Sequence, residues 1–339
     1  MKVIRKYILS NFASIFVSMF MPLFVIATVI FLIKLATYTA VIQLSISEMT
    51  KLYIFVLPEI LFYTLPITFF IASTLTLLRL SNENELIVLF SLGIKPSFII
   101  KTLSKPALIL TTLLLFDFFI LFPHAKVLSH NFISYKKSEA KFNLAANEFG
   151  NSFGDWLLYL GTKESDNLYG DVFLFNKKKK EEILITAKKA ELVNDAGILR
   201  LKLTDGEGYS YSKEKFSQIN FDTMTINNTM KTKLIRYNKP LDYWISVQDA
   251  KYKRKRFITN TLLSLFPIIS LFIIASIGII HERHQKSNVY AYLFVSILIY
   301  YAFTLKLQDY IAYYSIPAIS LTWLIATYII YRYKIVRKF

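Results

Sequence analysis

Residues 98–122 read FIIKTLSKPALILTTLLLFDFFILF, and only Lys101, Lys105 and Asp117 carry charge in them. A helix needs roughly 20 predominantly apolar residues to cross the hydrocarbon of a bilayer. Lipid offers no water to the backbone, so a spanning segment is a helix or part of a closed barrel. The stretch therefore reads as a membrane-spanning helix. It ends at Pro123, and from His124 onward the hydrophobic period changes.

Two such runs precede it, Phe12–Ile33 and Leu52–Leu78. Three follow, Ile258–Ile280, Val289–Leu305 and Ile311–Tyr331. Of the 339 residues 54% are hydrophobic, and the mean hydropathy of +0.43 is high for a soluble chain. Six such runs argue against a soluble helical protein. The expected fold is an α-helical membrane protein with six transmembrane helices and an all-β extracytoplasmic domain, an antiparallel sandwich or jelly-roll, between the third and fourth. The expected boundaries are 1–123 for the first three helices, 124–256 for the β domain and 257–339 for the last three helices.

The first run is too long for a cleavable signal peptide and lacks a small-residue cleavage site. Cysteine is absent, which excludes disulfides and thiolate metal sites. Lysine and arginine near helix ends set orientation. Lys2, Arg5 and Lys6 precede the first run, and Arg79, Lys95, Lys101 and Lys105 flank the turn between the second and third. Arg283 and Lys286 lie between the fourth and fifth, and Arg332, Lys334, Arg337 and Lys338 follow the sixth. All fall on one face if both termini are cytoplasmic, which places the central block outside. The net charge of +17 is largely accounted for by these edges, so nucleic acid is not an expected partner.

Within the block, short runs rich in β-branched and aromatic residues alternate with turns. Examples are Trp156–Leu160, Glu182–Ile185, Ala190–Val193, Leu199–Leu203, Tyr209–Tyr211, Ile219–Ile226 and Lys233–Tyr237. This is the signature of half-buried strands. Ser134–Asn147 reads as a helical or irregular connector, and Lys177–Lys180 as a solvated hairpin tip.

The chain has no P-loop, so no nucleotide cofactor of its own is expected. His281-Glu-Arg-His284 is H-E-x-H and lacks the one-turn spacing of a zinc motif. Glu59 and Asp117 are charges at membrane depth, where ionisable residues are functional candidates or have a partner in the bundle. Lys34 and Lys306 sit near the outer ends of their runs. They either snorkel to the interface or meet an anionic ligand. The cluster Lys251, Lys253, Arg254, Lys255 and Arg256 precedes the fourth run on the outside, against the positive-inside bias. It is either an orientation signal or an attractor of anionic headgroups, worth about 1 kcal/mol per side chain.

The turn between the second and third runs is the most specific local signal. Ser81 suits a helix cap, and Glu83 and Glu85 suit the positive end of the helix dipole. Leu86, Leu89 and Phe90 fall on one face, and Gly93 and Pro96 close the helix. Such a helix, near 82–94, either lies on lipid or docks in the groove of a protein partner.

With Leu65-Pro66 in the second run and the segment Leu-Ser-x-x-x-Glu85-Leu-x-x-Leu-x-x-x-Gly93-Ile, the chain resembles the LptF/LptG (YjgP/YjgQ) permeases of lipopolysaccharide export. The resemblance implies a bacterial inner-membrane protein paired with a second LptF/LptG-type permease. An LptB-like cytoplasmic ATPase dimer would carry the ATP and Mg. The coupling helix would be Glu83–Gly93, with Glu83, Glu85, Leu86, Leu89, Phe90 and Gly93 facing that ATPase. The resemblance makes Lys34 a substrate-facing residue and Lys306 a feature of LptF-type members. It also implies that the β domain hands lipopolysaccharide to LptC-like and LptA-like jelly-rolls. Lys251, Lys253 and Arg254 are expected to meet lipid phosphates on the strength of their position alone. The rival expectations are another ABC lipid or lipoprotein exporter, disfavoured by the helix layout, and an envelope sensor, disfavoured by the short inside segments.

Overall fold

The structure is a computed structural model. It describes residues 1–39, 44–140, 151–153, 156–165, 168–178, 181–195, 198–212, 215–227, 240–245, 250–280 and 288–337. The chain forms a helical unit (Met1–Tyr38, Leu44–Ser129 and Arg236–Phe339) and a second unit made of Thr39–Gln43 and His130–Ile235.

The helical unit begins with α1 (Lys2–Thr39), α2 (Ile46–Asn82), the short α3 (Glu85–Ser91) and α4 (Pro96–Phe116). A capping box opens α2: Ser45 Oγ accepts from the Glu48 N–H, and the Glu48 carboxylate accepts from the Ser45 N–H. Pro58 and Pro66 lie inside α2. Buried hydroxyls there are satisfied along the helix itself: Thr64 donates to Ile60 O at 2.9 Å and Thr68 to Thr64 O at 2.8 Å.

The third apolar run does not stop at His124. A π-helical turn, Asp117–Leu121, joins α4 to α5 (Phe122–Ala140). Its cause is legible in Pro123, which has no N–H and would clash with the carbonyl four residues earlier. Widening the turn relieves this, and the Phe122 N–H bonds to Asp117 O. The start of α5 thus belongs to the helical unit, which includes residues up to Ser129.

The remaining helices are α6 (Pro240–Ile245), α7 (Ala250–Ile269), α8 (Leu271–Gly278), α9 (Val289–Ile311) and α10 (Ser315–Tyr331). The basic cluster before the fourth run is thus the first part of α7. Between α7 and α8 the axis bends by 49° at Ser270, with Pro267 one turn earlier. By length and apolarity four described segments suffice to cross a membrane, or five if the bent pair counts as one span. The last of these, Val289–Val336, is 48 residues long. Ala312 takes φ 45° at its middle, and α10 packs against α9.

The core combines leucines and isoleucines with large aromatic side chains. Phe62, Phe69, Phe70, Phe118, Phe266 and Tyr300 are fully buried, and the Phe266 and Tyr300 rings lie 4.5 Å apart. In α1 only the first turns join this core, through Ile8 and Phe12. Further along, Val17, Met21, Val25, Ile26, Ile30 and Ile33 are exposed.

Among the described residues the second unit contains six antiparallel strands in consecutive order: β1 (Asn151–Phe153), β2 (Trp156–Ser165), β3 (Leu168–Lys178), β4 (Glu181–Asp195), β5 (Ile198–Ser212) and β6 (Phe216–Asn227). The described strands thus form a meander, a strand order the sequence did not specify. Several of the short runs expected as separate strands are halves of one strand. Glu182–Ile185 and Ala190–Val193 both belong to β4, and Leu199–Leu203 and Tyr209–Tyr211 both to β5. A crease divides the halves. Ladder pairing skips the row Gly161, Asp171, Lys188, Asp205 and Asp222 while the register stays the same on both sides. Asp171 and Asp205 take φ of 51° and 52°. Across the row the buried positions slip by one: Val172 and Leu174 give way to Tyr169, and Ile185 and Ala187 to Ala190. Lys233–Tyr237 lies outside the described residues.

Candidate functional sites at the two ends of the helical unit

The α2–α3 turn is held from three sides. Asn84 adopts φ 60° and starts α3 without a side-chain cap. Gly93 ends it at φ 83°, where a Cβ would strain the backbone. The Gly93 N–H bonds to Phe90 O at 3.0 Å and the Ile94 N–H to Leu89 O at 3.1 Å. This pair of bonds is a Schellman closure. Glu83 pairs with Arg79 at 2.9 Å, and Tyr7 of α1 donates its hydroxyl to Glu85 at 2.7 Å.

Ser81 does not cap α3, as the sequence suggested. It lies in the last turn of α2, where its hydroxyl donates to Gly278 O at 3.1 Å and accepts from the Ile280 N–H at 3.2 Å. The helices approach closely there. A Cβ on Gly278 would sit 2.6 Å from Leu77 Cβ and 2.8 Å from Thr74 O.

Of the expected coupling residues, Leu86 is only 1% exposed, and Leu89 and Phe90 pack against the same core. The apolar face of α3 therefore grips its own chain. The outward face, which the sequence reading passed over, consists of Val88 (54% exposed) and Leu92 (74% exposed), with Glu83, Ser91 and Gly93 also exposed. The i, i+4 spacing of Val88 and Leu92 was a signal for this second stripe.

The opposite end lies roughly 35 Å away along α2, taking 1.5 Å per residue from Asn82 back to Glu59. There Glu59 forms an ion pair with Arg256 of α7. The Arg256 guanidinium also stacks 4.3 Å from the Phe122 ring. Lys255 pairs with Asp309 of α9. Lys251 and Lys306 lie within electrostatic reach of the same Asp309 carboxylate. The basic cluster therefore splits. Lys255 and Arg256 are engaged inside the unit, and Lys251 and Arg254 are exposed.

Lys253 is 6% exposed, and its ammonium lies 4.8 Å from the centroid of the Tyr243 ring. With Lys251 and Arg254 it lines a cavity of about 640 Å³ whose other walls include Trp244, Ile245, Phe257 and Tyr313. Cations beside aromatic walls suit a ligand with phosphate and hydrocarbon parts. Lys306 and Lys34 are exposed and are not among the residues lining this cavity. The aromatic walls supplied by α6 carried no sequence signal of their own.

Asp117 is 4% exposed, and neither carboxylate oxygen has a hydrogen-bond partner among the described residues. His281–His284 lies outside the described residues. Among the described residues no histidine and carboxylate cluster could hold a metal.

A family model described as Lipopolysaccharide export system permease LptF/LptG matches residues 6–331, nearly the whole chain. No curated protein matches it.

Proposed function

We propose that this chain, which belongs to the LptF/LptG family of lipopolysaccharide export permeases, is one of two permease subunits that extract lipopolysaccharide from the outer leaflet of the inner membrane. In this reading six helices cross the bilayer. The apolar run Val289–Val336 makes two crossings, because 48 residues of helix would span roughly 70 Å, more than twice the hydrocarbon thickness. Both termini are cytoplasmic and the sheet is periplasmic.

The observation that carries the reading is the cavity at Lys251, Lys253 and Arg254. Lipid A phosphates meet these cations at its mouth, and Trp244, Phe257 and Tyr313 take hydrocarbon. Lys34 and Lys306 act as further phosphate contacts, and Lys306 supports an LptF-type place in the pair. At the other end α3 seats on an LptB-like ATPase dimer through Val88, Leu92 and the exposed edge Glu83–Gly93. ATP and Mg bind to that partner. Closure of the ATPase moves α3 and α2 together as a rigid body. The lipid then passes to the sheet and on to LptC-like and LptA-like proteins.

Photocrosslinking from position 251 to labelled lipopolysaccharide in the assembled complex tests this. An ATP-dependent crosslink is expected. A crosslink of equal strength to bulk phospholipid overturns the substrate assignment.

A further inference from the structure

A second cationic cavity, of about 560 Å³, lies at the α3 end of the helical unit. It is lined by Lys2, Arg5, Lys6, Leu9 and Ser10 of α1 and by Lys105 of α4. No acidic side chain is among these residues. The Arg5 guanidinium leans on the Phe98 ring at 5.2 Å, which fixes one cation of the cluster against an aromatic face. Lys105 stands nine residues beyond Pro96, so it sits about 13 Å along α4 from its start. That depth suits the boundary between headgroups and acyl chains.

We infer that this cavity binds the phosphate of an anionic phospholipid from the leaflet on the α3 side. The walls favour a lipid over a free anion. Leu9 lines the cavity, and Ser10, Val17 and Met21 recur on one face of α1 at steps of seven and four residues. Val17 and Met21 are exposed, so acyl chains have an apolar track leading away from the phosphate. Arg5 and the lysines supply the charge, as basic pockets between membrane helices do for anionic headgroups. The residue after Lys6 is Tyr7, which holds Glu85. An occupied site therefore steadies the turn of α1 that grips α3.

The orientation proposed above decides only that this leaflet is the cytoplasmic one. Lipid selectivity is measured on the isolated chain, so its failure leaves the export reading untouched. The full-length protein in a non-ionic detergent is titrated with phosphatidylglycerol, phosphatidylcholine or inorganic phosphate and followed by native mass spectrometry. Phosphatidylglycerol should bind about tenfold more tightly than phosphatidylcholine. The preference should vanish in Lys6→Gln/Lys105→Gln and survive in Lys6→Arg/Lys105→Arg. Lys101→Gln, an exposed lysine of α4 that does not line the cavity, should keep it. Three results overturn the inference: a preference that survives the double glutamine variant, one lost equally in Lys101→Gln, or displacement of the lipid by equimolar inorganic phosphate.

Discussion

The hydroxyl of Ser81 bridges α2 to the end of α8, donating to Gly278 O and accepting from the Ile280 N–H. The two residues are far apart in sequence and sit beside the turn that carries α3. Ser81 is buried, so no water competes for the backbone groups it satisfies. The bridge ties the end of α8 to the last turn of α2, beside α3.

Ser81→Ala leaves a buried carbonyl and a partly buried N–H without this partner. A loss of about 1–3 kcal/mol is expected, read as a lower unfolding temperature in detergent. Gly278→Ala should cost more, because the added methyl meets Leu77 and the Thr74 carbonyl. Equal unfolding temperatures for Gly278→Ala and the parent would show that the two helices separate freely.

The two faces of α3 should respond differently. Leu86→Ala should lower stability by about 2–5 kcal/mol through a core cavity. Val88→Asp and Leu92→Asp should leave stability within about 0.5 kcal/mol, as exposed substitutions do, and abolish co-purification with the ATPase. Retained ATPase in both aspartate variants would remove the outward face from the coupling assignment.

Tyr7→Phe removes the hydroxyl that holds Glu85. Membrane insertion should be unchanged, and the lipid-stimulated part of ATP hydrolysis should fall. Glu85→Lys should abolish that stimulation. Normal export by the Glu85→Lys complex would mean that this turn does not transmit the stroke.

Glu59→Ala strands the largely buried Arg256 guanidinium and should cost roughly 3 kcal/mol. Arg256→Ala should cost a similar amount through lost packing on Phe122. The double variant should be less destabilised than the sum, because the two residues share one interaction. Strict additivity in chemical denaturation would show that the pair is uncoupled.

In the cavity lined by Lys251, Lys253 and Arg254, Lys251→Ala and Arg254→Ala should weaken the lipopolysaccharide crosslink, with a deficit that shrinks as salt rises. Lys255→Ala, whose charge is engaged with Asp309, should leave the crosslink intact. Equal loss in all three would assign the effect to overall charge.

Hydropathy alone located the apolar helices, because lipid imposes a single demand on a spanning run. The α3 turn was equally legible, since Gly93 and the acidic start are local signals. Which face of α3 turns outward was not. Leu86 and Val88 are both apolar, and only the packing of α3 on the core separates them. The Glu59–Arg256 pair was hidden for a similar reason: a basic cluster looks uniform in sequence, while neighbouring helices select which of its members they engage. The β strands were recognisable as strands but divided in the wrong places, because the crease breaks alternation at Asp171, Lys188 and Asp205 without ending the strand.

The wide turn at Asp117–Leu121 acts as a phase shifter. It holds one residue more than an α-helical turn, so side chains after Phe122 are rotated by about 100° from where an uninterrupted helix would aim them. Removing one residue within the turn and closing it as an ordinary α-helix would leave the side chains from Pro123 to Ser134 aimed as they are, whereas winding the same number of residues as an ordinary α-helix would turn each by about 100°. The direction of the chain after Phe122 thus depends on how the turn is wound, at a site where Pro123 disfavours the narrower winding.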